Sequence, residues 1–448
     1  MAATAFIVLA AGIGSRMASD QPKVLHRAGG RSLLGHVLNA VKALAPAEVC
    51  VVVGPDMDAV KAEAETVVPN VRTVIQSERN GTAHAARMAK DALQDFAGTI
   101  VVMFGDGPLV RPETLTELVS VIENGADMAL VGFEAADPQG YGRFILKDGA
   151  LTAIREENDA SEAERKITLC NSGITAAGAD LLWPLLARIG NDNAQGEYYL
   201  TDLVELAVAD GRQVAHSICS EQEVQGVNSR AQLAEIEARL QDEYREKAMA
   251  GGATLIAPQT VFLSHDTTIG RGVVIEPHVV ILAGVTIGDG AVVRAFSHLE
   301  GAEIGPGCVV GPYARLRPGA RLAKGAKVGN FVEIKNADLE QGSKVNHLSY
   351  IGDARVGQGA NIGAGTITCN YDGFNKHFTD IGKGAFVGSN SALVAPVKIG
   401  DGAFVGSGSV VTRDVAEDAL TVARGRQEDR PGWSAKFRAI QSKSKKKS

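Results

Sequence analysis

From Ile269 onward the chain keeps a six-residue period in which Ile, Val or Leu opens each unit and Gly commonly follows. Units start at Ile269, Ile275, Ile281, Ile287, Val293 and Leu299. They then run from Ile304 to Ile334, through Leu339, Val345, Ile351, Val356 and Ile362, and from Ile381 to Val411. Ile287-Gly-Asp-Gly-Ala and Ile399-Gly-Asp-Gly-Ala are near-verbatim copies. Six residues are too few for a helical repeat or a propeller blade. They suit one face of a triangular left-handed parallel β-helix, three units to a coil, with the aliphatic side chain inward and Gly at the corners. The 51 glycines and only 5% aromatic residues of this 448-residue chain have their use there. Steps of five after Leu299, Ile334 and Ile351 shorten individual coils, and Thr368 to Asp380 is an inserted loop. The period is lost from Asp414 to Ser448, and the Lys-rich end, Lys443 to Lys447, is expected to be solvated and disordered.

Residues 1–228 carry a different pattern. Short β-branched runs (Ala5 to Ala10, Val49 to Gly54, Val71 to Ile75, Thr99 to Phe104, Met128 to Phe133) alternate with amphipathic stretches such as Leu33 to Leu44, Asp56 to Val68 and Thr82 to Phe96. That alternation predicts an α/β Rossmann-like domain with a mostly parallel sheet, whose ligands belong at the carboxyl ends of the strands. Residues 229–250 read as one linker helix: Leu233, Ile236, Leu240 and Tyr244 form a stripe, and Gly251 and Gly252 end it. Residues 251–448 hold the β-helix and the basic tail.

A net charge of −7 gives no general attraction to phosphate backbones, so nucleic acid is not an expected partner. The five cysteines are widely spaced, without a C-x-x-C pair, which suggests neither a disulfide framework nor a zinc site. The apolar start has no Lys or Arg before it and leads into a Gly-rich loop, so it reads as a strand rather than a signal peptide. No apolar run reaches the ~18 residues of a membrane span, and a cytoplasmic location is expected.

Two motifs in the first half point to phosphate chemistry. Leu9-Ala-Ala-Gly12-Ile-Gly14-Ser-Arg16-Met, followed by Pro22-Lys23-Val-Leu, lets backbone approach a phosphate while Arg16 and Lys23 add charge against a leaving pyrophosphate. It lacks the third Gly of the dinucleotide fingerprint and the Gly-Lys-Ser/Thr of the P-loop, and a plain strand-to-helix turn has the same look. Phe104-Gly105-Asp106-Gly-Pro ends an apolar strand, where one carboxylate is placed to hold Mg²⁺ against a triphosphate; an ordinary Asp-Gly turn is the alternative. Gln76, Gly81, Thr82, Asn171 and Asn228 are candidates for hydrogen bonds to base, sugar or metal.

In the β-helix, Arg317 and Lys335 hold the same position in units one coil apart. Stacked at ~4.8 Å they repel unless an anion lies between them or they splay into solvent. His347 lies in the next coil with Tyr350, and neutral imidazole suits proton removal from an attacking amine. A metal-binding β-helix using His265, His278, His298 and His347 is a competing reading, but those spacings share no coil register.

Together these residues resemble the sugar-nucleotidyltransferase (pyrophosphorylase) family. Over nearly its whole length the chain is similar to the bacterial bifunctional N-acetylglucosamine-1-phosphate uridyltransferase and glucosamine-1-phosphate N-acetyltransferase family. The motifs are LAAGxGxRM, PKVL, GTAHA, GDGPL, GYGR, NAQGEYYLTD, GVNxR, RLRPGA, GNFVEIK, GAGTITCNYDG and VTRDV. The resemblance implies that Leu9, Ala10, Ala11, Gly12, Gln76, Gly81 and Thr82 hold uridine and phosphates, with Arg16 and Lys23 at the phosphates. It implies Asp106 and Asn228 as Mg²⁺ ligands, and Gly142, Glu156 and Asn171 as sugar contacts. Phe104 stands where Tyr is familiar, leaving a backbone role with Gly105. His347 is implied as general base, oriented by Glu333, and Arg317, Lys335, Tyr350 and Asn361 as the sugar-phosphate site. Ala364, Asn370, Tyr371, Ser389, Ser407 and Arg424 fall at acetyl-CoA contacts, Ser407 replacing an expected Ala. The implied substrates are UTP, acetyl-CoA, glucosamine-1-phosphate and N-acetylglucosamine-1-phosphate, and the implied assembly is a homotrimer. A nucleotidyltransferase whose β-helix only trimerises or binds a regulator is the runner-up.

Overall fold

The computed structural model describes residues 3–445. By internal contacts the chain divides into two compact units, Met1–Glu243 and Tyr244–Ser448. The division falls inside one helix, Arg230–Ala250.

The first unit is built on strands β1 (Thr4–Leu9), β2 (Glu48–Val53), β3 (Arg72–Ile75), β4 (Thr99–Phe104) and β5 (Met128–Glu134), then β6 (Arg143–Lys147), β7 (Ala150–Arg155), β8 (Leu169–Gly178) and β9 (Val214–Cys219). The sheet order is β9-β5-β8-β4-β1-β2-β3, with the β6–β7 hairpin hanging from β8. All neighbours along that order are parallel except β8, which runs antiparallel between β4 and β5. The run Phe6–Val8 is fully buried and the valines of β2 are nearly so, as parallel strands covered on both faces require. Helices α1 (Leu33–Ala43), α2 (Asp58–Val67) and α4 (Pro112–Glu123) border one side, and α3 (Thr82–Met88), α5 (Ala179–Arg188) and α6 (Leu203–Ala209) the other. The expected strands are present within a residue or so. The stretch Thr82 to Phe96 is one short helix and a 3₁₀ turn, Asp91–Leu93, rather than one helix.

In the second unit strands of two to seven residues, most of them two or three, stack in parallel on three faces. The aliphatic positions of the period stack inward, and on one face Ile275, Val293, Val310 and Val328 follow one another with at most 1% exposure. A second face aligns Ile287, Ile304, Leu322, Leu339, Val356 and Ile381, and a third Ile281, Leu299, Leu316, Ile334 and Ile351. Outside the second face runs a register of alternating charge: Glu303, Arg321, Asp338, Arg355, Asp380 and Lys398. Arg321 bonds Asp338, and Arg355 bonds both Asp380 and Glu340.

One corner carries a stack of rings, His278, Phe296, Tyr313 and Phe331, with centroids 4.9, 4.9 and 5.2 Å apart. All four have positive φ, so the stacking offsets a backbone conformation that L-residues resist. Two expectations at the end of the chain need correction. Coil stacking continues past Asp414, because Val415 bridges Ile399 and Leu420–Thr421 pairs with Phe404–Val405. Trp433–Lys445 is helical, so the disorder expected of the basic tail does not apply up to Lys445; the remainder of it lies outside the described residues.

Candidate functional site

At the carboxyl ends of the strands in the first unit lies a cleft of about 900 Å³. It is lined by Leu9, Ala10, Ala11, Gly12, Arg16, Lys23, Gln76, Gly81, Thr82, Phe104, Asp106, Gly142, Glu156, Asn171 and Asn228. Gly105 is the exception among the sequence candidates in this unit: its N–H donates to Leu9 O at 2.9 Å and ties the two motif loops together. The loop after β1 turns at Gly14, φ +72°, where a Cβ would stand 2.6 Å from the Lys23 side chain. Gly81, φ +110°, would place a Cβ 2.5 Å from Tyr198 O, so that turn also demands glycine. Gln76, 4% exposed, donates to Gly81 O and faces His84 Nδ1, both at 3.1 Å.

Lys23 forms an ion pair with Asp106 and donates to Asn228 Oδ1 at 2.9 Å. Asp106 is held from behind by Val227 N–H, which donates to its backbone carbonyl at 3.0 Å, and Asn228 N–H donates to Gln232 Oε1 at 2.8 Å. A carboxylate and an amide oxygen therefore converge on one cation. These are hard oxygen donors in the number that a largely hydrated divalent ion takes from protein, the rest coming from phosphate and water. The two residues expected to bind metal thus fit one, and the ammonium of Lys23 stands in for it.

Across the cleft, Gly142 O accepts from Asn171 N–H at 2.8 Å, and Thr201 Oγ1 donates to Glu156 Oε1 at 3.1 Å. Burial holds the Glu156 carboxyl above its usual range against the Thr201 hydrogen bond. Nearby Asp202, half-buried among Glu205 and Glu156, is pushed up to about 6, chiefly by desolvation. Beneath this wall, buried Arg143 of the GYGR motif pairs with Glu157, which accepts from Gly140 N–H at 3.0 Å. Arg79, whose Nε donates to Ala11 O at 2.9 Å, lines the cleft although no motif singled it out.

In the second unit, one corner of the β-helix gathers the His347 group. Coil-to-coil backbone bonds run from Leu348 N to Asn330 O, Gly365 N to His347 O, Asn390 N to Ala364 O and Gly408 N to Ser389 O. His347, Ala364 and Ser389 therefore lie on one line. Ser407 precedes Gly408 in the next coil, and the Arg424 side chain comes beside Gly408. His347 Nδ1 faces Asn330 Oδ1 at 2.6 Å. Glu333, expected to orient the histidine, instead accepts from Arg317 at 2.9 Å and Arg315 at 3.5 Å. The reason is register: Asn330 pairs with His347, and Glu333 with Tyr350.

Arg317 and Lys335 are in register as expected. The inserted loop adds a third cation that has no place in the six-residue period: Lys376 faces Lys335 so closely that it, together with burial and Arg317, holds the Lys335 ammonium below the usual lysine range. Tyr350 folds over Gly352, whose Cβ would lie 2.3 Å from the phenol oxygen. Asn361 is not brought to this group; it lies on another face, between Lys344 and Phe386. Asn370 spends its amide on Asp353, and Tyr371 OH donates to Gly373 O within the exposed loop.

Among the described residues no group of three or more His, Cys, Asp or Glu could hold a metal ion, so the β-helix histidines form no such centre. No helix of the described residues is long and apolar enough to cross a membrane. All five cysteines are free thiols.

A nucleotide cleft in an α/β unit followed by a hexapeptide β-helix defines a two-part transferase. Comparison agrees with both parts: residues 6–170 match the MobA-like NTP transferase domain, and residues 266–301 and 378–413 the six-repeat bacterial transferase hexapeptide family. The chain is 56% identical over 98% of both chains to the bifunctional protein GlmU of Azorhizobium caulinodans, and 57% identical over the same shares to that of Xanthobacter autotrophicus. A nucleoside-diphosphate-sugar pyrophosphorylase structure from Vibrio cholerae, 18% identical, covers 52% of this chain and 99% of its own with a TM-score of 0.43. The chain belongs to the bifunctional GlmU family, and is an enzyme with uridyltransferase and acetyltransferase activities.

Proposed function

We propose that the chain makes UDP-N-acetylglucosamine in two steps, from glucosamine-1-phosphate and acetyl-CoA in the β-helix and then with UTP in the α/β cleft. The observation that carries this reading is the line from His347 to Ser389 on a β-helix whose chain also holds the Lys23, Asp106 and Asn228 triad.

In the acetyl step, Asn330 Oδ1 accepts the Nδ1 proton of His347, leaving Nε2 as the base. Nε2 takes a proton from the sugar amine as its nitrogen bonds to the thioester carbonyl. The C–S bond then breaks with its electron pair going to sulfur, and the CoA thiolate takes the proton from the His347 imidazolium, so that CoA leaves as the thiol and the base is restored. Arg317, Lys335 and Lys376 neutralise the sugar phosphate, with Tyr350 beside them, while Ala364, Ser389, Ser407 and Arg424 line the extended CoA arm and Asn370 and Tyr371 border it. Asn361, beside Lys344 on the face whose strand carries His347 and away from the Arg317–Lys335 row, would serve the sugar-phosphate site of a neighbouring copy in a homotrimer that shares sites between chains.

In the uridylyl step, an oxygen of N-acetylglucosamine-1-phosphate attacks the α-phosphorus of UTP in line and pyrophosphate departs. Gly12 and its neighbours present backbone to the phosphates, Arg16 and Lys23 neutralise the leaving group, and Gly142, Glu156 and Asn171 position the sugar. Asp106 and Asn228 hold Mg²⁺, which when bound supplies charge neutralisation at the phosphates. The product feeds peptidoglycan and lipopolysaccharide precursors, and the setting is the cytoplasm.

The test is incubation of purified protein with glucosamine-1-phosphate, acetyl-CoA, UTP and Mg²⁺, all products being identified by mass spectrometry. UDP-N-acetylglucosamine with free CoA and pyrophosphate is the expected outcome. A requirement for supplied N-acetylglucosamine-1-phosphate would reduce the β-helix to a scaffold. His347→Ala should abolish acetyl transfer alone, and Asp106→Asn uridylyl transfer alone.

A further inference from the structure

One corner of the β-helix turns through residues of positive φ, aligned coil on coil: Gly284, Gly301, Gly319, Asn336 and Asp353. Glycine serves the first three. Where the column reaches the cationic group, it changes to Asn336 and Asp353, and the next coil meets it with Asn370. Asn and Asp both tolerate the left-handed region, so conformation accounts for an amide here. It does not account for a carboxylate that is only 9% exposed.

That carboxylate is fully engaged. Oδ1 accepts from Asn336 Nδ2 at 2.6 Å and Oδ2 from the Asn370 amide. Burial alone would raise its pKa, but those two amides, with Lys335 and Lys376 nearby, hold it below the usual carboxylate range. Asn370 is also the root of the inserted loop. His377 N–H returns to Asn370 O at 2.8 Å, Tyr371 bridges Lys376, and the strand resumes with Thr379 over Ala354. The loop is further tied by Asp372, which accepts from Phe374 and Asn375 N–H and faces His377 Nε2. Lys376 is thus delivered to Lys335 by a small stiff hairpin whose base is clamped by Asp353.

We infer that Asp353 is a positioning residue for sugar-phosphate binding: through Asn370 it fixes the inserted loop, and its charge keeps Lys335 and Lys376 together before the phosphate arrives. The inference rests on reading this face as the acetyl-transfer site. It makes a prediction opposite to simple electrostatics, because removing a negative charge beside a phosphate site would by itself tighten phosphate binding.

The test compares Asp353→Asn, Asp353→Gly, Lys376→Met and the double variant Asp353→Asn with Lys376→Met. Asp353→Asn and Asp353→Gly should each raise KM for glucosamine-1-phosphate about tenfold with little change in kcat, and weaken inhibition by inorganic phosphate. Lys376→Met should do the same, and the double variant should add little, since both changes break one device. Uridylyl transfer by the same preparations should be unchanged, which controls for folding and concentration. An unchanged or lowered KM in the Asp353 variants, or additive effects in the double variant, overturns the inference. Absence of acetyl transfer by the unaltered protein fails the reading of the site itself, a separate result.

Discussion

Asn330 Oδ1 lies 2.6 Å from His347 Nδ1, one coil away on the same corner. The amide fixes which imidazole nitrogen carries the proton. Asn330→Ala should therefore lower kcat of acetyl transfer about 10- to 100-fold, by leaving ring and tautomer unfixed. Asn330→Asp should move the acidic limb of its pH profile to higher pH, because a carboxylate stabilises the imidazolium and the neutral base is then lost sooner on acidification. Steady-state kinetics against pH checks both; an unaltered profile in Asn330→Asp would mean that the contact does not govern the base.

Lys23 contacts both Asp106 and Asn228, the residues proposed to hold a divalent ion. Lys23→Met removes this resident cation, so Mn²⁺ added without nucleotide should bind more tightly, read by electron paramagnetic resonance of the free ion. Uridylyl transfer should still fall at least about 100-fold, because the leaving pyrophosphate loses a charge partner.

Asp202 gives a pH dependence of stability. Its carboxyl is pushed up to about 6 in the folded protein, mainly by desolvation and then by Glu205 and Glu156. The folded state thus binds this proton more tightly than the unfolded chain. Stability from this group is greatest below pH ~4, declines as pH rises towards ~6, and is constant beyond. Asp202→Asn should stabilise the protein by about 1 kcal/mol at pH 7.5, after allowance for its partial exposure, and by nothing near pH 3.5. Chemical denaturation at the two pH values measures it.

Phe296 sets two effects against each other. It stacks between His278 and Tyr313, and it has φ +60°. Phe296→Ala loses both stacks and keeps the strained backbone, which should cost about 1 to 3 kcal/mol. Phe296→Gly loses the same stacks but relieves the backbone, so it should recover about 1 kcal/mol of that. Equal melting temperatures for the two variants would show that the left-handed conformation carries no cost here.

The repeat was legible because an inward aliphatic side chain every six residues is imposed by the triangular section, and no other arrangement buries Ile275, Val293 and Val310 together. The shortened coil was legible too. The five-residue step after Ile334 is what places Asn330, and not Gly329, opposite His347. Lys376 was not legible because the inserted loop obeys no period, and its partner Lys335 is fixed only by the fold. β8 was hidden for a different reason. Leu169–Gly178 contains Asn171, Ser172 and Gly173, which weaken a strand pattern, and the bulge between Asn171 and Thr175 interrupts its pairing with β5. Its antiparallel place between β4 and β5 comes from tertiary pairing. In the cleft, Gly12, Arg16, Lys23 and Asp106 sit in motif loops and could be named in advance, whereas Arg79, which is held by Ala11 O, lies outside every motif.

The interior of the β-helix has one weakness that its charged face answers. Every coil offers its neighbour nearly the same aliphatic row, so the buried side chains alone cannot distinguish the correct neighbour from the coil beyond it. The alternation Glu303, Arg321, Asp338, Arg355, Asp380, Lys398 can. If a chain skipped one coil while winding, Glu303 would face Asp338 and Arg321 would face Arg355, like against like along the whole edge. The native winding alone sets opposite charges against each other along this edge, a distinction the repeated aliphatic rows do not make.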